Sequence, residues 1–222
     1  MYSTVIAARV GDPFLGEAVD SIFTQTLPPS RVEVVTDAGQ LIPDEWRSRI
    51  LDAHPTVSFH VQQGSGLASA LSEGTRRVRT PYVAYLDSDD VWFPDKQQRQ
   101  VQLLEQEEAL DAATCRAVNV TLGQEIQEVS GSSSCTFTAT TFRTGIFARF
   151  GDPDPSAGHH IWLYRWWAQA RSQGIETREV DYLGLKRRIH GNNSWVTEHD
   201  AAHRALLTEL RRITHVRRGG DE

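Results

Sequence analysis

The run Asp87-Ser88-Asp89-Asp90 closes an apolar stretch, Tyr82 to Leu86, and puts carboxylates one residue apart in a turn. Carboxylate oxygens at that spacing share a hard divalent cation such as Mg²⁺ or Mn²⁺, and a cation there offsets the charge of a diphosphate. Asp and Ser are also common turn formers, so the D-x-D triplet alone is a weak signal. Its setting makes it specific: it follows a strand pattern, adds Asp90, and leads into Val91-Trp92-Phe93-Pro94-Asp95-Lys96. Trp92 is a site candidate by its position beside the acidic group. A further carboxylate, Asp37, closes a second apolar stretch, Val32-Glu33-Val34-Val35. Trp162, Trp166 and Trp167 bring indoles close together, with Trp162 and Trp166 on one helical face. Indoles stack on sugar rings, but aromatics at helical spacing more often build a core, and core is the reading taken here.

The elements that must position these residues follow from hydrophobic spacing. Val5 to Ala8 reads as a strand, and Phe14, Leu15, Ala18, Val19, Ile22 and Phe23 as a helix, with Asp12 as cap and Pro13 in its first turn. Val32 to Val35 is a second strand, Trp46, Ile50 and Leu51 mark a helix, and Val57 to Val61 is a third strand. Leu67 to Arg77 is a third helix and Tyr82 to Leu86 a fourth strand. Strand and helix alternate, which predicts a parallel sheet wound with helices. In such sheets ligands gather beyond the carboxyl ends of the strands, where Asp37 and the Asp87 to Asp90 group fall. From about Glu105 the rhythm changes. Strands are expected at Ala113 to Val120 and Glu125 to Val129, a Ser-rich loop at Gly131 to Ser134, and helices over Thr141 to Phe150, Ile161 to Gln173 and Glu198 to Ile213. The expected organisation is one domain of two halves, 1–104 and 105–195, followed by a C-terminal helix with a frayed tail over 196–222.

Composition narrows the function classes. A chain of 222 residues with 39% hydrophobic and 23% charged residues is long enough to bury a core without staples. Its net charge of −6 argues against nucleic acid as a partner. The two cysteines, Cys115 and Cys135, read as core thiols in a reducing cytoplasm. No apolar run approaches the roughly 18 residues of a spanning helix, so a soluble protein is expected, cytoplasmic or peripheral to a membrane.

The run Tyr82 to Lys96 resembles the metal-binding segment of family 2 glycosyltransferases with the GT-A fold. Glu17 to Thr26 is similar to that family's first helix, Gly64 to Ala70 to its third-helix entry, and Arg187 to Ser194 to its R-x-H-x-x-N closing motif. The matches run in family order over roughly residues 4 to 195. The resemblance implies an α/β, Rossmann-like nucleotide-diphospho-sugar transferase fold, with a central, mostly parallel sheet flanked by helices. It implies that Ala7, Ala8 and Arg9 line the base pocket and that Asp37 holds the nucleobase. Asp87 and Ser88 would lie by the ribose and metal, Asp89 would ligate Mn²⁺ or Mg²⁺, and His190 would approach the metal or diphosphate. Arg187 and Arg188 would reach a phosphate or the acceptor, although neighbours on a strand face opposite ways, so only one of them is expected to face the site. The implied donor is a nucleotide diphosphate sugar, with UDP favoured; the acceptor stays open among a glycan, a lipid-linked sugar, a peptide and a small molecule.

The chain departs from that pattern at informative places. Thr36-Asp37-Ala38-Gly39 keeps one carboxylate where the family usually has Asp-Asp-Gly-Ser, and Ala70-Leu71-Ser72 replaces a common Ala-Arg-Asn. An inverting transferase needs a base for the acceptor hydroxyl, which the family supplies as Asp or Glu before the closing motif. Between Asp154 and Glu176 this chain has neither. One register puts His160 at that position, with His159 as its alternate; other registers put Leu163 or Arg165 there, and Asp152 and Asp154 lie just upstream. The expected function is metal-dependent sugar transfer, with inversion. Its rivals are a catalytically silent relative that binds nucleotide sugars or serves assembly, and, ranked last, a nucleotidyltransferase, for which the Gly-rich phosphate loop is missing.

Overall fold

The computed structural model describes residues 1–39, 42–121, 136–157 and 161–190. The first half alternates as its spacing predicts. Strand β1 (Tyr2–Ala8) leads to helix α1 (Leu15–Phe23), β2 (Arg31–Thr36) to α2 (Asp44–Ala53), β3 (Val57–Val61) to α3 (Leu67–Thr75), and then comes β4 (Tyr82–Asp87). These strands pair in parallel in the order β3-β2-β1-β4. The chain moves outward from β1 to β3 and then returns to the other side of β1. That reversal opens a crevice beyond the carboxyl ends of β1 and β4. Both faces of β1 are buried, in keeping with its apolar run.

After a two-residue strand β5 (Val91–Trp92) come α4 (Lys96–Gln106), β6 (Ala112–Thr121), β7 (Thr140–Arg143), α5 (Ile146–Phe150), a 3-10 turn at Pro155–Ala157, α6 (Ile161–Ser172) and β8 (Thr177–Ile189). They extend the same sheet to the order β3-β2-β1-β4-β7-β6-β8-β5. The sheet is mixed but mostly parallel, as expected: β7 runs antiparallel to both β4 and β6, and β5 antiparallel to β8, while the other pairings are parallel. Because β6 is parallel to β8, that strand points the same way as β4. Its end, Arg187 to His190, thus arrives at the end of the sheet that carries Asp87.

Two apolar layers flank the sheet. One packs Leu15, Val19, Ile22, Ile50, Val101 and Leu104 from α1, α2 and α4 against the strands. The other packs Ala68, Leu71, Phe147, Phe150, Trp162, Trp166 and Trp167 from α3, α5 and α6 against Val5, Val83, Tyr85 and Phe142. Gly74 lets α3 lie close to the sheet: a Cβ there would sit 2.3 Å from Val5 Cγ1 and 3.3 Å from Val35 Cγ2.

The second half corrects the sequence-based expectation. Instead of one helix over Thr141 to Phe150, β7 takes the β-branched and aromatic run Thr-Thr-Phe between two partner strands, and only Ile146–Phe150 is helical. Helix α4 and the upstream reach of β8, which begins at Thr177, go beyond the sequence-based expectation. The expected strand at Glu125 to Val129, the Ser-rich loop, Cys135 and the helix at Glu198 to Ile213 lie outside the described residues. Cys115 is buried in the core. No helix among the described residues is long and apolar enough to cross a membrane.

Candidate functional site

A cavity of about 1040 Å³ occupies the crevice. Ala7, Ala8 and Arg9 border it from the end of β1, Asp37 from the end of β2, Asp87 to Asp90 from the end of β4, and Arg187, Arg188 and His190 from the end of β8. Leu67, Ala68 and Leu71 of α3, Phe137, and Trp162, Leu163 and Tyr164 of α6 form its apolar side. One cavity thus gathers the carboxylates and the closing-motif residues from strands that sequence spacing alone leaves apart.

The acidic turn is held by bonds from three directions. The Asp90 N–H donates to Asp87 O at 3.1 Å and closes the turn. Ser88 Oγ donates to Asp12 Oδ2 at 2.5 Å, and Asp12 Oδ1 accepts from the Phe14 N–H ahead of α1. The Arg188 N–H donates to Asp90 Oδ1 at 2.9 Å, while its guanidinium donates to Asp89 O at 3.1 Å and to Glu17 Oε2 at 2.6 Å. That guanidinium also lies over the Phe14 ring, 4.2 Å from its centroid. His190 Nε2 is 2.9 Å from Asp89 Oδ2.

Carboxylate oxygens of Asp87, Asp89 and Asp90 lie within 4.8 Å of one another. Burial, with the nearby Asp89 charge adding to it and Arg187 opposing it, pushes the Asp87 carboxyl up to about 7. Burial and the charges of Asp87 and Asp89 raise Asp90 well above the carboxylate range, against its backbone bond from Arg188 and the charge of Arg187. Crowded, partly desolvated carboxylates that hold their protons this strongly lack compensating positive charge. Hard oxygen donors around such a deficit fit a divalent cation of the Mg²⁺ or Mn²⁺ kind.

The remaining candidates divide. Trp92 does not border the cavity; it is 3% exposed, donates its indole N–H to Thr138 O, and carries the Lys96 ammonium over its ring at 4.2 Å. Its β5 neighbourhood turns it into the core, away from the acidic turn. Both Arg187 and Arg188 border the cavity, whereas only one was expected there. They sit at the very end of β8, where long side chains reach the crevice from either face. Trp166 and Trp167 are core, packed with Phe137, Phe142 and Trp162; Trp162 also forms part of the cavity wall. Asp152 accepts from Arg76 Nε at 2.9 Å, and Asp154 accepts from the Ser156 N–H and Oγ, which hold its carboxyl below the usual range. Neither borders the cavity. His159 and His160 lie outside the described residues.

Sequence reasoning missed three supports: Glu17, Asp12 as a partner of Ser88, and Gln62, whose Nε2 donates to Asp37 Oδ1 at 2.7 Å. Asp12 carried a signal as a helix cap after β1. Glu17 and Gln62 carried none, because their partners are distant in sequence.

A wound α/β sheet with an acidic turn at its switch point, met by a returning strand bearing Arg and His, defines a GT-A architecture. The chain belongs to glycosyl transferase family 2, whose family pattern matches residues 3–176. It is 28% identical over 104 residues to an uncharacterized glycosyltransferase of Rickettsia prowazekii, a match covering 47% of this chain and 32% of the relative. It is 34% identical over 84 residues to the succinoglycan biosynthesis protein ExoW of Rhizobium meliloti, covering 36% of this chain and 26% of that one. The chain thus spans about a third or less of the length of these curated relatives. Among solved structures, the mannosyltransferase PcManGT of Pyrobaculum calidifontis with GDP-Man and Mn²⁺ superposes with a TM-score of 0.67 at 15% identity, covering 86% of this chain and 58% of its own. S. aureus TarS 1-349 with UDP-GlcNAc superposes at 0.65 and 12% identity, covering 86% and 59%. These likenesses establish the shared fold.

Proposed function

We propose that the protein transfers a sugar from a nucleotide diphosphate donor to an acceptor hydroxyl with inversion, using a divalent cation. The observation that carries the reading is the convergence of Asp37, the Asp87-Asp89-Asp90 cluster and His190 on one cavity. Asp37 accepts from the nucleobase, and the small side chains of Ala7 and Ala8 leave room for its ring. Asp87 and Asp89 would hold Mn²⁺ or Mg²⁺, with His190 beside Asp89; such a cation supplies Lewis-acid stabilisation of the leaving diphosphate. Arg187 adds positive charge at the same end. The acceptor oxygen loses its proton to a base and bonds to the anomeric carbon as the bond from that carbon to the phosphate oxygen breaks, its electron pair leaving with the diphosphate. His160 is the proposed base, with His159 as alternate.

Calorimetry with UDP, GDP and dTDP in the presence of Mn²⁺ tests the reading. Binding is expected for at least one of them, and Asp89→Asn should remove its metal dependence while the fold stays intact. No binding of any of the three refutes it. A second reading, a silent relative that binds nucleotide sugar without turnover, is favoured by one observation: α6 (Ile161–Ser172) carries no carboxylate. Tight donor binding with neither transfer nor donor hydrolysis would favour it.

A further inference from the structure

Arg188 buries a fixed positive charge beside the acidic turn: its side chain is 7% exposed, and the carboxylates of Asp87, Asp89 and Asp90 crowd within 4.8 Å of one another next to it. A guanidinium matches a carboxylate with two parallel donors, so an arginine in that place is a ready competitor for the oxygens a divalent cation would use. The bonds it makes run another way. Nη1 donates to the Asp89 main-chain O at 3.1 Å, and Nη2 donates to Glu17 Oε2 at 2.6 Å. Its bond to Asp90 Oδ1 comes from the main-chain N–H.

The partner that draws the guanidinium off belongs to α1, not to the crevice. Glu17 is exposed and does not border the cavity. An acid in the first turn of a helix is ordinary, because it complements the helix dipole. What is particular to Glu17 is that its partner lies 171 positions away in the sequence. The entry to α1 adds two further ties. Asp12 accepts from Ser88 Oγ of the turn, and the Phe14 ring lies 4.2 Å from the Arg188 guanidinium and 5.3 Å from the His190 ring. Residues 12 to 17 thus form a bracket that joins the acidic turn to the end of β8. A buried guanidinium that loses its counter-ion is left with an uncompensated charge. The anions beside it would then be those of the turn, and an arginine seated on them opposes any arriving cation.

We infer that Glu17 is a positioning residue: it holds the Arg188 guanidinium on the Asp89 main-chain oxygen and so keeps the carboxylates of the turn open to a divalent cation. The inference rests on the cation reading above, and the experiment separates the two. Mn²⁺ alone is titrated into the full chain and the free ion followed by electron paramagnetic resonance. Wild type is compared with Glu17→Ala, Asp20→Asn, Arg188→Met and the Glu17→Ala/Arg188→Met double variant. Glu17→Ala should weaken Mn²⁺ about fivefold, the upper end for an ion pair with one half-exposed partner. Glu17→Gln, which keeps an acceptor oxygen without the charge, should fall between it and wild type. A lowered thermal midpoint with unchanged Mn²⁺ affinity would make Glu17 a structural residue and overturn the inference. Asp20→Asn removes a charge from the same helix at a side chain that is 70% exposed and paired with His54, and it should leave Mn²⁺ affinity unchanged. An equal loss there would reduce the effect to the general field of α1, which also overturns the inference. In the Arg188→Met background Glu17→Ala should have no further effect; a fivefold loss that persists means that Glu17 does not act through Arg188. Folding is checked by circular dichroism, with Arg188→Lys as the alternative background. Should neither background fold, Glu17→Ala against Asp20→Asn decides. If wild type binds Mn²⁺ only with UDP, GDP or dTDP present, the same comparisons are made with that nucleotide. Failure of wild type to bind Mn²⁺ either way sinks the cation reading itself, and this inference with it.

Discussion

Lys96 is fully buried in the core, its Nζ donating to Gln100 Oε1 at 2.9 Å and lying over the Trp92 ring. Burial lowers its ammonium from an ordinary 10.5 to about 8, with the nearby Cys115 opposing the change. The unfolded chain keeps the proton up to about pH 10.5, whereas the folded protein releases it from about pH 8 upward. Across that window the unfolded state binds more protons, so stability contributed by this group rises with pH at about 1.4 kcal/mol per pH unit. The rise totals about 3 kcal/mol between pH 8 and 10.5 and is absent below pH 8. Other groups act in the opposite sense: burial raises Cys115, Tyr2 and Tyr85, which therefore cost stability at high pH. The comparison with Lys96→Met cancels the tyrosines, while Cys115, which the Lys96 charge pulls down, rises in the variant and adds to the difference in the same direction. Urea unfolding of wild type and Lys96→Met at pH 7, 8, 9 and 10 should show wild type gaining on the variant by about 1 kcal/mol for each step above pH 8. A difference between the two that stays constant from pH 7 to 10 would refute the assignment of a buried, reluctantly charged ammonium.

His190→Ala should weaken UDP binding more than uridine binding, because a partner of the metal or diphosphate is lost; equal effects on both in calorimetry would contradict its placement beside Asp89. If transfer or donor hydrolysis is found, its rate should fall as pH drops through about 6.5, the ordinary histidine value, and His160→Ala should abolish that limb. Full activity in both His160→Ala and His159→Ala would remove the histidine base. Gly74→Ala should lower stability by about 1–3 kcal/mol, since its Cβ would meet Val5 Cγ1 at 2.3 Å on a packed strand; an unchanged thermal midpoint would show that α3 has more room than its packing indicates.

Where an element's identity rests on its own spacing, the sequence was readable. The continuous apolar runs of β1, β2 and β4 and the amphipathic α1 and α3 needed no distant partner to be recognised. The placement of Asp37 and the Asp87 to Asp90 turn at strand ends, where they border one cavity, was readable too. The failures share a cause. Thr140 to Arg143 has a β-branched and aromatic run, but four residues are too few to outweigh the helical pattern after them, and it is the edges of β4 and β6 that make it a strand. Trp92 looked like a site residue because it neighbours the acidic turn in sequence, but pairing of β5 with Leu185 and Lys186 of β8 turns it inward. Gln62 and Glu17 matter through single bonds to Asp37 and Arg188, which local pattern cannot reveal.

The bond from the Arg188 N–H to Asp90 Oδ1 joins residues 98 apart, and the Arg188 guanidinium reaches Glu17 across 171 positions. Contacts of such long range form late, because the loop they close must first surrender its conformational freedom. During synthesis the acidic turn would therefore emerge and pair within β4 well before the strand that braces it exists. For that interval its carboxylates face water and stay ionised, because the burial that raises Asp87 and Asp90 is not yet in place. The arrival of β8 is then the event that converts a generic acidic loop into a shaped receptor, so that completion of the sheet and maturation of the crevice are one step.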